Sequence, residues 1–384
     1  MSAPLGGVRL AVNGMPLLSP LTGIGQYTYH LVRELGELGV PPMLFYGADW
    51  SADLRPVAPQ GVAQAKRLVG RLMPRAQFAA RWLQQRRFDA GVRAHRPGLY
   101  HEPNYLAFRF DGPTVVTVHD LSWIRYPGMH PAERVLLMNE TMPGVLERAT
   151  QVIVDSDFIR DEVIAHYRLS PQRVTTVRLG VTPDFRPMPI DEARAKLQPH
   201  GLAPGYLLAV GTLEPRKNLG SVVAAFARLP APLRARHPLV VAGMSGWGME
   251  RLSPQLRRMV EAGEVRITGY LPQEVLPALY AGARAFVYPS VYEGFGLPPL
   301  EALACGVPAI VSRRASLPEV VGDAALLVEP HDEAAIAAHL QALVEDDALH
   351  GRLAAAGPAR ASRFTWRQCA LDTLAVYERA LAAV

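Results

Sequence analysis

Short apolar runs alternate with amphipathic segments along the chain, and the alternation restarts near its middle. In the first half, strands are predicted at Val8–Val12, Met43–Tyr46, Gly98–His101, Thr114–His119, Gln151–Asp155 and Arg173–Arg178. In the second half, they are predicted at Tyr206–Gly211, Pro238–Gly243, Val265–Thr268, Ala285–Tyr288, Pro308–Val311 and Ala325–Val328. Helices are predicted between them, for instance at Gly25–Leu38, Glu133–Arg148, Asp157–Tyr167, Leu219–Arg228, Glu274–Ala281 and Asp332–Glu345. Apolar strands separated by helices are typical of parallel sheets with crossover connections, so the pattern predicts an α/β fold.

The proline-rich stretch 181–189, VTPDFRPMP, separates the two halves, because proline interrupts helices and sheets. A chain of 384 residues is also long for a single hydrophobic core. We therefore predict two doubly wound, parallel-sheet domains, residues 1–185 and 190–365, with a cleft between them. Ligands of such sheets bind beyond the carboxyl ends of the strands, so polar residues at these ends are the candidates for function.

Composition narrows the class of protein. Hydrophobic residues make up 49% of the chain and charged residues 20%, as in water-soluble globular proteins. No apolar run reaches the ~18–20 residues that cross a bilayer, and the N-terminus shows no secretory signal. The two cysteines, Cys305 and Cys369, are too few for a disulfide framework or a four-ligand zinc site. These features predict a cytoplasmic protein.

Positive charge is concentrated in residues 55–96, where Asp89 is the one acidic residue and Phe78, Trp82 and Phe88 lie among the basic ones. One interpretation is an amphipathic helix that lies on an anionic membrane surface. An equally weighted alternative is a solvated helix that packs on its domain by its apolar side. Nucleic acid is disfavoured as a partner, because no recognised binding module accompanies these charges.

The stretch 287–311, VYPSVYEGFGLPPLEALACGVPAIV, carries the most specific pattern of the chain. It places a buried strand, a glycine-rich turn and a helix start in direct succession, with Glu293 and Glu301 separated by seven residues. Backbone N–H groups at such a turn bind phosphates. Two carboxylates beside them indicate a ligand that also offers hydroxyl groups, such as a sugar and a ribose.

Two other strand ends carry candidate residues in the first half. His119 and Asp120 follow an apolar strand. His119 is suited to bind a sugar hydroxyl or to accept a proton, or it merely caps the strand, and Asp120 orients it or caps the next turn. Gly23 and Gly25 allow close approach of a ligand to the backbone, but they lie too far from the first strand for a dinucleotide fingerprint, which excludes a nicotinamide site.

In the second half, Gly211 ends a strand, and Arg216 and Lys217 precede the next helix. Two cations at a helix N-terminus suit a diphosphate better than they suit an ordinary basic loop, because Glu293 is predicted at the same sheet edge. The sequence Asp155-Ser156-Asp157 has the form of a Mg²⁺ site but fits a helix cap better. We therefore expect no metal, and assign charge neutralisation to Arg216 and Lys217.

Together these motifs resemble the retaining glycosyltransferases of family 4, whose GT-B fold has two facing Rossmann-like domains. The stretch from Glu293 to Glu301 matches the family's signature of two glutamates separated by seven residues. The supporting matches are Gly211 with Arg216-Lys217-Asn218, the strand end 117–120, the loop 23–27 and the linker entry 179–187. The resemblance covers nearly the whole chain and implies that the last helix, within residues 366–384, packs back on the first domain.

The resemblance also implies roles for individual residues. Glu293 and His119 would contact the donor sugar, and Arg216 and Lys217 would stabilise the diphosphate leaving group. Glu301 would accept hydrogen bonds from the ribose. The other implied donor-binding residues are Gly23, Gly25, Gly211, Thr212, Tyr270, Leu271, Gly294, Phe295, Gly296 and Leu297. Acceptor contacts are expected at His101, Asn104 and Asp120. Thr212 differs from the arginine that many members of the family carry at this position.

Within the family, the Gly-Thr-x-x-Pro-Arg-Lys-Asn and Val-His-Asp-Leu patterns are most similar to bacterial mannosyltransferases of surface polysaccharide assembly. This similarity implies a GDP-mannose or related GDP-sugar donor, a lipid-linked acceptor of O-antigen type, and action at the inner face of the cytoplasmic membrane. It implies transfer with retention, no covalent nucleophile and no cofactor beyond the nucleotide sugar. The alternatives are a UDP-sugar donor, a sugar-nucleotide epimerase, and a non-catalytic sugar-nucleotide-binding protein.

Overall fold

The computed structural model describes residues 4–19, 21, 23–55, 74–211, 214–243 and 254–383, without the side chains of residues 4, 74–80, 254 and 255. The described strands form two sheets that are parallel except for one edge strand. The predicted α/β class is therefore confirmed. Thr212 and residues 56–73 of the basic stretch lie outside the described residues.

The strands coincide with the predicted apolar runs, apart from one short addition. They are β1 (Leu10–Asn13), β2 (Met43–Phe45), β3 (Trp50–Ser51), β4 (Leu99–Glu102), β5 (Thr114–Val118), β6 (Gln151–Val154), β7 (Val174–Thr176), β8 (Tyr206–Val210), β9 (Leu239–Ala242), β10 (Val265–Gly269), β11 (Ala283–Tyr288), β12 (Ala309–Ser312) and β13 (Leu326–Val328). The addition is β3, which pairs antiparallel with β2. Its two residues are too few to give a periodic signal.

The helices lie between these strands and after the last one. They are α1 (Gly23–Glu37), α2 (Pro74–His95), α3 (Ser122–Arg125), α4 (Ala132–Arg148), α5 (Asp157–Tyr167), α6 (Ile190–Leu197), α7 (Leu219–Ala227), α8 (Ala231–Arg236), α9 (Pro254–Glu261), α10 (Leu276–Ala281), α11 (Leu297–Ala304), α12 (Leu317–Val321), α13 (Glu333–Glu345), α14 (Asp347–Ala361) and α15 (Trp366–Ala382). The helix predicted from Glu274 begins later, at Leu276, after a 3₁₀ turn.

The first compact unit contains a seven-stranded sheet of order β3-β2-β1-β4-β5-β6-β7. It comprises Met1–Ile124, Ala132–Leu179 and Trp366–Val384. The C-terminal helix α15 therefore belongs to this unit, where it packs against α1, β5 and β6. Its Trp366 ring stacks on His30 at 4.8 Å, and its Tyr377 hydroxyl lies 2.7 Å from His101 Nδ1.

The second compact unit contains a six-stranded sheet of order β10-β9-β8-β11-β12-β13. It comprises Arg125–Pro131 and Gly180–Thr365, and its core packs α7 and α13 against the sheet around Phe226, Ile310 and Leu340. Strand order reverses between β8 and β11 in this unit, and between β1 and β4 in the first. Ligands of doubly wound sheets bind at such reversals, so the ends of these strands position the site.

Candidate active site

Three neighbouring strands of the second unit end in glycines with positive φ. The angles are 147° at Gly211 after β8, 154° at Gly243 after β9 and 70° at Gly269 at the end of β10. The Gly243 amide donates to Gly269 O at 3.0 Å, and a Cβ on Gly243 would lie 1.8 Å from Gly211 O. The backbones therefore approach each other in a way that only glycine permits. Gly211 was predicted at the site, whereas Gly243 was not.

Substitution of Gly243 by alanine is expected to lower the free energy of unfolding by at least about 2 kcal/mol, since a Cβ clashes with backbone and φ is strained. Gly220→Ala is the matched control, because Gly220 lies in α7 with nothing within 4 Å of an added Cβ. Urea unfolding of both variants measures the difference. Equal stability of the two variants would show that the crowding at Gly243 has no energetic consequence.

Glu293, five residues after β11, is the centre of a buried polar cluster. Its Oε1 accepts hydrogen bonds from Lys217 Nζ at 2.6 Å, Ser290 Oγ at 2.6 Å and Tyr288 OH at 3.0 Å. Its Oε2 accepts from Arg216 Nη1 at 2.9 Å. The strand reversal thus brings together three residues that the sequence placed on separate strand ends, Arg216 and Lys217 after β8 and Glu293 after β11.

Electrostatics in this cluster are set by burial and by the two cations. Burial alone would raise the pKa of the Glu293 carboxyl, but Arg216 and Lys217 lower that pKa to about 2. Burial and the charge of Arg216 lower the pKa of Lys217, which Glu293 partly restores. Arg216 also donates from Nε to Glu214 Oε2 at 3.0 Å. Glu293 is therefore an anion at every pH of biological interest.

The turn after Glu293 is held by a residue from the next loop. Ser316 Oγ donates to Glu293 O at 2.8 Å and to Phe295 O at 2.9 Å, and it is completely buried. Gly296 has φ 120° and precedes α11, whose first turn has no side-chain cap. Pro298 and Pro299 carry no N–H, so the backbone N–H groups beside Glu293 that could bind an anion are those of the glycine turn and of Leu297. This turn contains four of the residues that the resemblance implies for donor binding, Gly294, Phe295, Gly296 and Leu297.

Glu301 lies one turn further along α11 and has different surroundings. Its Oε2 accepts from the Tyr280 hydroxyl of α10 at 2.7 Å. Burial raises the pKa of Glu301 to about 7, although the Tyr280 hydrogen bond opposes the shift. The two glutamates of the signature therefore differ in charge. Glu293 is an anion paired with two cations, whereas Glu301 is close to half protonated at neutral pH.

The raised pKa of Glu301 makes the folded protein less stable as pH rises. Between the ordinary carboxyl pKa of 4.5 and the folded value of about 7, the folded state holds a proton that the unfolded chain releases. Glu301→Gln is therefore expected to gain about 3 kcal/mol relative to the unmodified chain between pH 4.5 and pH 8. Urea unfolding at both pH values measures this, with the exposed Glu333→Gln as control. A stability difference that stays constant with pH would contradict the assignment.

Tyr270 and Leu271, which the resemblance implies for donor binding, directly follow β10. Leu271 is buried, whereas the Tyr270 side chain is 50% exposed directly after Gly269. An exposed aromatic ring at a strand end offers a face for stacking. Gly269 O accepts a hydrogen bond from the Gly243 amide, so Tyr270 directly follows the edge that these glycines form.

His119 follows β5 in the first unit, and both of its ring nitrogens have partners there. Nδ1 lies 2.7 Å from Asp155 Oδ2, and Nε2 donates to Pro103 O at 2.8 Å. Burial would lower the pKa of His119, but Asp155 reverses the shift and the pKa is raised. The Tyr27 ring meets the imidazole edge-on at 5.1 Å. A sugar hydroxyl could therefore bind a ring nitrogen of His119 only if it replaced Asp155 or Pro103 as the partner of that nitrogen.

Of the residues expected to contact the acceptor, His101 is inaccessible in the structure. It is completely buried, and its nitrogens lie 2.7 Å from Tyr377 OH and 2.8 Å from Thr117 Oγ1, so it offers no atom to an acceptor. Asp120 caps α3 by accepting from Ser122 N and Ser122 Oγ. Asn104 is partly exposed, and its backbone N–H donates to Glu102 Oε1.

The remaining predicted contacts concern two glycines and a helix cap. Gly23 and Gly25 lie in the first turn of α1 rather than in a loop before it. Gly25 is buried, and a Cβ there would lie 3.1 Å from Leu21, whereas Gly23 is exposed. Ser156 caps α5 by accepting from Ile159 N, so the predicted cap is confirmed. Within the described ranges, no group of three or more histidine, cysteine or acidic residues could hold a metal ion.

Two family models match the chain. The model for Glycosyltransferase Family 4 matches residues 21–185, and the model for Glycosyl transferases group 1 matches residues 192–360. The O-antigen chain mannosyltransferase B of Escherichia coli is 39% identical over 94% of this chain and 97% of that protein. The chain belongs to glycosyltransferase family 4. This family 4 enzyme is therefore a glycosyltransferase, and nucleotide-sugar donor binding follows from its family.

Further similarities come from a second relative and from solved structures. The serotype-specific mannosyltransferase WbdA of Escherichia coli is 32% identical over 67% of this chain, which corresponds to 32% of that protein. Sucrose-phosphate synthase from Thermosynechococcus elongatus superposes with a TM-score of 0.76 at 24% identity, over 98% of this chain and 100% of that chain. WaaG, a glycosyltransferase involved in lipopolysaccharide biosynthesis, superposes with a TM-score of 0.72 at 16% identity, over 95% and 98%. The GT-B fold predicted for this family 4 member is thereby confirmed.

Proposed function

We propose that this family 4 enzyme transfers mannose from GDP-mannose to a lipid-linked or growing polysaccharide acceptor, with retention at the anomeric carbon. The observation that carries the proposal is the 39% identity, over nearly the full length of both chains, to the O-antigen chain mannosyltransferase B. The second mannosyltransferase relative supports the same sugar. The buried cluster around Glu293 supports the same reaction type.

The proposed mechanism uses the second unit to activate the donor. The diphosphate lies at the α11 N-terminus, and Arg216 and Lys217 stabilise its negative charge as the bond to the sugar breaks. Glu293 accepts a hydrogen bond from a sugar hydroxyl and holds negative charge near the anomeric carbon as positive charge develops there. The acceptor hydroxyl attacks on the face that the diphosphate leaves, and its proton passes to the departing phosphate. No carboxylate is assigned as a covalent nucleophile.

The nucleoside part of the donor extends along the strand ends of β8, β9 and β10. Glu301 accepts hydrogen bonds from the ribose, and the base lies against the backbone at Gly269 and beside the exposed ring of Tyr270. The close backbone approach of Gly211 and Gly243 forms this edge, since a Cβ on Gly243 would collide with Gly211 O. We expect Asn104 of the first unit to contact the acceptor.

A donor screen tests the choice of nucleotide and sugar. GDP-mannose, GDP-glucose, UDP-glucose and ADP-glucose are compared by thermal unfolding, since a bound donor stabilises the fold by about 2.7 kcal/mol at a hundredfold excess over its Kd. We expect the largest stabilisation with GDP-mannose. Selective stabilisation by UDP-glucose would overturn the GDP assignment. Release of an isomerised sugar from donor alone, without acceptor, would favour the epimerase alternative.

We also propose that helix α2 contacts an anionic membrane surface that carries the acceptor. Trp82 and Leu83 are 59% and 44% exposed, and the Arg86 guanidinium lies 4.5 Å from the Trp82 ring centre. Exposed apolar rings beside arginines are typical of interfacial helices. No described helix is both long and apolar enough to cross a bilayer.

Co-sedimentation with vesicles of phosphatidylglycerol tests this contact. Binding is expected to fall as salt concentration rises, and Trp82→Ala is expected to weaken it several-fold, since both charge and apolar contact contribute. Leu136→Ala is the control, because Leu136 is 60% exposed on α4, outside the basic stretch. Binding that is insensitive to salt and to Trp82→Ala would favour the solvated-helix interpretation.

A further inference from the structure

The cations assigned to the diphosphate already have anionic partners within the protein. Lys217 Nζ lies 2.6 Å from Glu293 Oε1, Arg216 Nη1 lies 2.9 Å from Glu293 Oε2, and Arg216 Nε lies 3.0 Å from Glu214 Oε2. The cluster of Glu214, Arg216, Lys217 and Glu293 therefore contains two negative and two positive charges. These side chains are at most 18% exposed, so their mutual interactions are weakly screened.

A diphosphate that binds to Arg216 and Lys217 competes with Glu293 for their positive charge. Arg216 Nη1 and Lys217 Nζ both donate to the Glu293 carboxylate, so an arriving phosphate oxygen meets cations that an anion already neutralises. Two anions that share the same donors in a partly dry site repel each other. The displaced carboxylate would keep the hydrogen bonds from Ser290 Oγ and Tyr288 OH, which hold it in place without the cations.

We propose that Glu293 competes with the diphosphate for Arg216 and Lys217 and thereby favours the intact donor over the nucleoside diphosphate product. This inference rests on the proposed function. An intact donor brings a sugar hydroxyl that donates to the displaced Glu293 and compensates for the lost cations. The free nucleoside diphosphate brings no such group. After transfer, Glu293 therefore returns to Arg216 and Lys217 and weakens product binding.

Calorimetric titration with inorganic pyrophosphate and with GDP tests the competition. Glu293→Gln keeps the shape of the side chain but removes its charge, and it is expected to bind both ligands at least about 10-fold more tightly than the unmodified enzyme. Glu293→Asp, which keeps the charge but shortens the reach to the cations, is expected to give a smaller increase. Glu333→Gln is the control for net charge and is expected to change neither Kd. Thermal unfolding of each variant verifies that the fold is retained.

The titrations are carried out at pH 6 and pH 8, because Glu293 also helps to keep Lys217 protonated. Tighter binding of pyrophosphate by Glu293→Gln at pH 6 supports the proposal. Equal or weaker binding at both pH values overturns it. The titration result does not depend on whether the enzyme transfers mannose, since pyrophosphate binding requires neither a particular sugar nor transfer. An enzyme that transfers no mannose but shows the tighter binding would retain the competition and lose the mannosyl assignment.

Discussion

Glu293→Gln is expected to lower the single-turnover rate of glycosyl transfer by about 10³-fold while the protein remains folded, because removing one preorganised electrostatic contact at the reacting centre costs roughly this much. The carboxylate is held by four hydrogen bonds from Arg216, Lys217, Tyr288 and Ser290. When a diphosphate takes Arg216 and Lys217 as its partners, the bonds from Tyr288 and Ser290 keep the carboxylate in position. Glutamine fills the same space without the negative charge that would face the developing positive charge on the sugar.

Single-turnover conditions separate this loss from product release, which the same substitution is expected to slow. The control is Glu333→Gln, since Glu333 lies on α13 and pairs with Arg228 at the surface. A single-turnover rate within a few-fold of the unmodified enzyme would remove Glu293 from the reacting centre. In that case its role would be confined to holding the two cations.

Lys217→Met is expected to lower kcat by about 10²–10³-fold, because the ammonium stabilises charge on the leaving diphosphate and methionine cannot. Methionine is unbranched like lysine and one atom shorter, so it can occupy the partly buried position against the Tyr288 ring, which lies 5.1 Å from the ammonium. The substitution leaves Arg216 as the sole cation of the cluster, so the KM for the donor is also expected to rise.

The matched control for this substitution is Lys196→Met. Lys196 forms an exposed ion pair with Glu192 on α6, and such pairs contribute at most about 1 kcal/mol to stability. Steady-state kinetics of both variants with the same donor and acceptor give the comparison. Unchanged kcat in Lys217→Met would show that the diphosphate is stabilised elsewhere.

The sequence predicts the location of the site because parallel strands end at one edge of a sheet. Gly211, Arg216 and Lys217 follow β8 and Glu293 follows β11, and these two strands are neighbours at the reversal of strand order. The contact between Glu293 and both cations follows from that adjacency. What the sequence does not show is that the cations bind the carboxylate, since pairing depends on side-chain directions across two loops.

Long-range contacts account for the site residues that sequence reasoning missed. Ser316 holds the turn after Glu293 from a loop 23 residues further along the chain, and no local pattern marks it. Tyr288 is the last residue of the apolar stretch that predicts β11, and Ser290 follows it by two positions, so neither polar group stands out from the sequence. Gly243 differs from other glycines only in its contact with Gly211, which is visible in three dimensions alone.

His101 shows the limit of assigning function to polar residues at strand ends. It lies within β4, all four residues of which are buried, and not beyond its end. Strands covered on both faces give no alternation that separates core from surface, so the sequence could not place it. Its bond to Tyr377 depends on α15 packing on this sheet, a contact between residues 276 positions apart.

Product analysis tests the proposed retaining transfer of mannose by this family 4 enzyme. The enzyme is incubated with GDP-mannose labelled with ¹³C at C1 and with a mannose-terminated oligosaccharide on a lipid-like aglycone. The anomeric configuration of the product is then read by NMR. We expect release of GDP and an α-linked mannose on the acceptor. A β-linked product, or transfer from UDP- or ADP-sugars but not from GDP-mannose, would contradict it.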